Sequence, residues 1–252
     1  LVPAAGRDVF PGQSIVPQGR QSAQLTPAQS QVNSGPATPT LLAPSSLTAL
    51  LASLGTALQK LNVEDTPILD HLTRLQSAGK ISEVKTEAQQ IAQIVADSGS
   101  GSAIAEWKIL DIVRSLGKPK NLPIIRESAL VVVQQLAQYL GGKTPVEAHL
   151  VSFLGPVYDA FADKDKNVQK SAKTAADALH GIFPIEALAS VYIDELIRYF
   201  NSSAKWNLKL AALQTFDKLV EEIPADLLEI KFVTVVPSLT DLATDFKPEL
   251  AK

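Results

Sequence analysis

"PVEAHLVSFLGPVYDAFADKDKNVQKSAKTAADALHGIF" (145–183) holds two apolar stretches of helical period joined by a charged turn. The chain then starts again: "PIEALA" follows at Pro184 and "PADLLE" at Pro224, so the three openings lie 39 and 40 residues apart. Each Pro suits a first helical turn, where its missing N–H costs nothing, and an acid two residues on favours the positive end of the helix dipole. Thr144 and Glu147 have capping-box spacing. At the 39-residue offset Phe153 matches Tyr192, Leu154 matches Ile193, Val157 matches Leu196 and Phe161 matches Phe200. The third unit has slipped by two residues, which puts Leu242 in register with Phe161 and Phe200, and Pro237 in register with Pro156.

A second helix follows each opening. "RESALVVVQQLAQYL" (126–140), "VQKSAKTAADALHGIF" (168–183) and "WNLKLAALQTFDKLV" (206–220) align Ala129 with Ala172 and Ala212, and Leu136 with Leu179 and Leu219, at offsets of 43 and 40. Paired helices repeating near 40 residues match the HEAT/armadillo class and miss the tetratricopeptide period of about 34. The expected fold is therefore all-α, a HEAT-repeat solenoid, with repeats over 101–252 and further helices over 45–100.

Working outward, helical periodicity extends through about 104–116, 81–97 and 67–78 to a first apolar stripe at Leu47, Leu50, Leu51, Leu54 and Leu58. Residues 1–44 are instead rich in Pro, Gln, Ser, Ala and Thr, and no charged residue occurs between Gln21 and Gln59. Such a tract buries too little apolar surface to offset its backbone entropy, so it is expected to be a disordered tail. The first reading of that tail is a flexible tether, and the second is self-association through its Gln content. At the other end "FVTVVPSLTDLATD" (232–245) reads as the first helix of a pair and "FKPELAK" (246–252) as the start of its partner. The chain begins with Leu and contains no Met, so it is expected to be part of a longer protein that continues past Lys252.

Composition narrows the chemistry. The 252 residues carry a net charge of −3, which gives no global attraction to nucleic acid and leaves any such contact to a local patch. The absence of Cys rules out disulfides and thiolate sites. No apolar run has the length of a membrane span, so no membrane contact is expected. His71, His149 and His180 are far apart and have no ligand-type residue at helical spacing, which reads as helix-surface or half-buried histidine. "YLGGKT" (139–144) lacks the first Gly of a phosphate loop, and its Gly pair reads as a helix end. Trp107 and Trp206 stand among apolar residues and are expected in the core. No catalytic, cofactor or metal residue is expected in this chain.

The one basic cluster is "DKDKNVQKSAK" (163–173), with Lys164, Lys166, Lys170 and Lys173 against Asp163 and Asp165. Lys170 and Lys173 share a helix face, and lysines along a solenoid edge can meet RNA phosphate. The plain alternative is an Asp/Lys turn between two helices. A weaker group comprises Lys118, Lys120, Arg126 and Lys143, in which Arg126 is expected to form an ion pair between repeats.

Several stretches in order, "AEWKILDIV" (105–113), "KPKN" (118–121), "IRESAL" (125–130), "FADKDKNVQKSA" (161–172), "AKW" (204–206), "LAALQ" (210–214) and "VVPSLTDLATDFKPELAK" (235–252), resemble the N-terminal HEAT region of fungal elongation factor three and its relatives. The last stretch is most similar to the paralogue with a prion-forming N-terminal extension in budding yeast. The resemblance covers roughly 100–252 and implies a cytoplasmic ABC-F ATPase whose cassettes, beyond this chain, hold ATP and Mg. It implies a ribosome partner, rRNA and ribosomal proteins, for a non-catalytic HEAT region. The alternative function is a free-standing HEAT adaptor for protein complexes or transport.

Overall fold

The computed structural model describes residues 66–142, 146–201 and 205–244, all within one structural unit. The N-terminal tail, the stripe at 45–58, the self-association reading, Lys143, the Thr144 cap and "FKPELAK" fall outside these residues. Every regular element among the described residues is helical.

Helices α1 (Leu69–Ser77), α2 (Ile81–Asp97), α3 (Ser102–Glu106), α4 (Ile109–Leu116) and α5 (Pro123–Leu140) precede the repeat that opens at Pro145. In that repeat α6 (Glu147–Leu150) and α7 (Leu154–Asp159) are joined by a 3-10 turn and lead into α8 (Lys166–His180). The next repeat runs α9 (Ile185–Ala187), a π-helical turn over Leu188–Tyr192, α10 (Ile193–Phe200) and α11 (Trp206–Glu222). Helices α12 (Ala225–Glu229) and α13 (Phe232–Ala243) follow. The long second helices start at Ile81, Pro123, Lys166 and Trp206, which are 42, 43 and 40 residues apart.

Of these second helices α2 packs along α5 and α5 along α8, while α11 meets α8 through His180–Glu222 and Lys218–Asp177, and each first helix packs against the second helix of its own pair. The seam is built by the small residues that recur with the repeat: Ala129, Ala172 and Ala212 are buried, as are Leu136, Leu179 and Leu219. Small side chains there let helix backbones approach, and the Leu behind each fills the space between repeats. On the first helices Phe153, Tyr192, Leu154, Ile193, Val157, Leu196 and Leu242 are all buried. Phe161 is only half-buried, unlike Phe200.

Three local details differ from the expectation. Pro184 and Pro224 sit at the N-cap, one residue before the helix, where their carbonyls accept from Leu188 at 3.0 Å and Leu228 at 3.2 Å. The stretch at 104–116 is two helices, because Lys108 adopts a left-handed conformation with φ 51° and turns the chain between α3 and α4. That redirection lets Ile109, Ile112, Val113 and Leu116 all enter the core. Trp206, expected inside, is 43% exposed at the start of α11, whereas Trp107 packs on the core. Gly141 and Gly142 end α5, and Gly142 takes the left-handed conformation at φ 76° that only Gly adopts without strain.

Candidate nucleic-acid interface

The turn before α8 is held by its acids. Asp165 caps the helix and accepts from the amides of Asn167 at 2.8 Å and Val168 at 3.4 Å. Asp163 Oδ1 accepts from the Asp165 amide at 2.8 Å, and Gln169 Nε2 donates to the Asp163 carbonyl at 2.6 Å. Asp163 also takes two charge-assisted bonds from Arg126 on α5, Nε to Oδ2 at 2.7 Å and Nη2 to Oδ1 at 2.8 Å. The remaining Arg126 nitrogen, Nη1, donates to the Asn121 carbonyl. One guanidinium thus ties the 117–122 loop, the start of α5 and the 163–165 turn together.

This wiring sorts the charges of "DKDK". Burial alone would raise the Asp163 carboxyl, but the Arg126 hydrogen bonds and the Asp165 amide outweigh it and hold its pKa below the ordinary value. The same pairing, set against the cost of burial, raises the Arg126 pKa. Asp163 is thus held against Arg126, while the half-buried Asp165 accepts from the amides that it caps. Lys164, Lys166, Lys170 and Lys173 are all exposed, and among the described residues no ion pair involves them. Lys166, Lys170 and Lys173 share the face of α8 opposite Val168, Ala172, Ala176 and Leu179.

Lysines in the first turns of α8 oppose the positive end of the helix dipole. Their placement costs stability rather than adding it, while it enhances attraction for an anion.

The turn is one of a series. Each described turn from a first to a second helix carries exposed lysine: Lys80 before α2, Lys118 and Lys120 before α5, Lys164 and Lys166 at α8, Lys205 before α11. Because every repeat runs in the same sense, these turns lie along one rim. Two bonds knit the rim between repeats: Lys205 Nζ donates to the Ala162 carbonyl and Asn207 Nδ2 to the Phe161 carbonyl, both at 3.1 Å. The exposed Trp206 lies between those two residues, beside the lysine turn. The opposite rim, at the second-helix C-termini, carries Asp97, Glu221, Glu222 and Asp226.

The expected cluster at 164–173 is thus present on one surface, and the structure adds Lys80, Lys205 and Trp206 to it. Of the second group, Lys118 and Lys120 join this rim, whereas Arg126 is buried and committed to Asp163. Two of the three histidines pair across helices: His71 Nδ1 meets Glu87 at 2.7 Å, and His180 Nε2 meets Glu222 at 2.6 Å, the latter linking α8 to α11.

Residues 84–252 match the family described as EF3 N-terminal HEAT repeat. The chain is 40% identical over 235 residues to [NU+] prion formation protein 1 of Saccharomyces cerevisiae, covering 92% of this chain and 19% of that protein. It is 27% identical over 190 residues to mRNA export factor elf1 of Schizosaccharomyces pombe, covering 75% of this chain and 18% of that protein. It is 25% identical over 123 residues to Elongation factor 3 of Zygosaccharomyces rouxii, covering 49% of this chain and 12% of that protein. The chain spans less than a fifth of the length of each of these relatives. With the paired helices and their period near 40 residues, this match places the chain in the EF3 N-terminal HEAT-repeat family.

Proposed function

We propose that this chain is a non-catalytic, ribosome-contacting HEAT region of an elongation-factor-three-like translation factor, and that its lysine rim meets RNA phosphate. The single observation that carries this reading is the charge sorting at 163–166, where both acids are consumed by Arg126 and by helix capping while the lysines face solvent. Family membership supports a translation role. In this proposal ATP and Mg belong to cassettes outside the chain, and the protein works in the cytoplasm.

The chemistry suits a phosphate backbone. Lysines on successive turns present positive charge at intervals along an edge, which favours a long polyanion over a single small anion. Trp206 adds an aromatic face beside them, able to stack on an unpaired base. The test is RNA binding by the chain as salt is varied. The expected result is a linear fall of log affinity with log salt, and a slope that shrinks by roughly 0.7–0.9 for each rim lysine changed to Ala. A slope unaltered by Lys166→Ala and Lys170→Ala would remove the rim from the contact.

A further inference from the structure

A cleft of ≈ 930 Å³ opens on the first-helix layer between α4 and α7, with the N-terminal half of α5 as its floor. It exists because the face that α7 and its flanking turns offer to α4 is Ser152, Gly155, Pro156 and Ala160, at i, i+3, i+4 and i+8, with no bulky side chain to fill the gap. Val113, Ala129, Leu130, Val151 and Val168 add apolar side chains to the lining, beside the polar Asp159, Asp163, Glu195 and Arg198.

The charge around the opening is uneven. Two of its cations are already matched, Arg126 by Asp163 and Arg198 by Glu195. Four others stand at the cleft: Arg114, Lys118, Lys164 and Lys205. Arg114 has a long, exposed contact of 3.8 Å to Asp111 and also acts electrostatically on Asp159. The remaining acid of the lining is Asp159, so the opening is left net positive.

We infer that this cleft is a docking site for an acidic peptide segment of a partner protein, whose apolar side chains enter between α4 and α7 and whose carboxylates meet Arg114, Lys118, Lys164 and Lys205. The volume lies within the range of sites that enclose a ligand. An apolar slot flanked by fixed positive charge complements alternating acidic and apolar side chains. Nucleic acid fits it less well. The one aromatic of the lining, Tyr199, is buried with its hydroxyl on the Gly155 carbonyl at 3.1 Å, so no ring face is offered to a base. The cleft does not include the outward face of α8, but it shares Lys118, Lys164 and Lys205 with the lysine rim, so the two sites adjoin.

The experiment is fluorescence anisotropy of the 252-residue chain with a short labelled peptide of Glu-Glu-Leu repeats, beside a Lys-Lys-Leu peptide and an oligouridylate. The acidic peptide is expected to bind saturably, the Lys-Lys-Leu peptide not to displace it, and oligouridylate to compete only through the shared Lys118, Lys164 and Lys205. Ser152→Trp, which fills the slot from an exposed position, and Arg114→Glu with Lys118→Glu, both exposed, are each expected to weaken it about tenfold or more. Lys166→Glu with Lys170→Glu, which tests the RNA rim, should leave peptide affinity within about twofold. Circular dichroism confirms that each variant is folded, and the paired charge reversal decides the matter if Ser152→Trp does not fold. Absence of saturable acidic-peptide binding overturns the proposal. So does binding indifferent to both cleft variants, or oligouridylate binding that Ser152→Trp weakens as much as it weakens peptide binding, which would make the cleft a nucleic-acid site.

Discussion

Arg126 and Asp163, 37 positions apart, form a two-bond ion pair in which each side chain is nearly buried, at 10% and 13% exposure. The pair is the clamp that sets the lysine turn on its rim. Its burial separates it from surface pairs such as Lys218–Asp177, which is 55% and 56% exposed at 3.7 Å. Exposed pairs of that kind contribute about 0–1 kcal/mol.

Arg126→Ala leaves a largely buried carboxylate without its partner, which costs on the order of 3–5 kcal/mol. Chemical denaturation should show the midpoint falling by a corresponding amount. Lys218→Ala should shift it by under about 1 kcal/mol. The pH dependence has a definite sign. Asp163 has a folded pKa below its unfolded value of about 3.9, so its contribution is present above that pH and is lost as pH falls through the folded pKa. Arg126→Ala should lose this acid-side dependence.

Tyr158 and Tyr192 give an alkaline counterpart. Their hydroxyls are 3.3 Å apart in the core, and burial pushes Tyr158 up to about 12 and Tyr192 well above its ordinary value. Unfolded tyrosine ionises near pH 10, so their contribution is constant below about pH 10 and falls as pH rises toward the folded values. Tyrosinate absorbance from these two residues should therefore develop together with loss of helical circular dichroism.

Gly141 marks the closest approach between the end of α5 and the turn after α8. A Cβ there would lie 2.6 Å from Ile182 Cγ2 and 2.9 Å from the Ala137 carbonyl oxygen, and the second of these is backbone. Gly141→Val should destabilise the chain by about 1–3 kcal/mol through overpacking. Gly142→Ala, which meets no neighbour but has φ 76°, should cost about 1 kcal/mol through backbone strain alone. Thermal unfolding of the two variants separates the causes.

Lys166→Glu with Lys170→Glu should leave stability unchanged or raise it by about 0.3–1 kcal/mol, because the change at Lys166 removes a cation from the first turn of α8 and Lys170 is exposed. RNA affinity should fall in the same variant. Opposite signs in the two assays distinguish a functional rim from an ordinary solvated turn. Trp206→Ala, at a 43% exposed position, should likewise cost little stability while weakening binding to single-stranded RNA.

The repeat was legible because burial recurs with the period: Ala129, Ala172 and Ala212 occupy equivalent seams, and any reader of the offsets meets them. The Arg126 ion pair was legible in kind but not in partner, since Asp163 and Asp165 look alike in sequence and only the fold assigns one to the guanidinium and one to the cap. Lys80, Lys118, Lys164 and Lys205 span more than a hundred residues and form a series only when the repeats stack. Trp206 was misplaced because its neighbours at 208, 211 and 212 are buried, and only the end-on position at the start of α11 turns the ring outward. The break at Lys108 left no Pro or Gly to announce it.

The lysine rim is proposed to carry the ribosome contact. The test is co-sedimentation of the protein with ribosomes at moderate salt, comparing the unaltered chain, each of Lys166→Glu and Lys170→Glu alone and together, and Lys218→Glu as a control matched in charge to the single rim variants and away from the rim. The rim variants are expected to stay in the supernatant while the control pellets like the unaltered protein. A folded rim variant that pellets as well as the unaltered protein would contradict it.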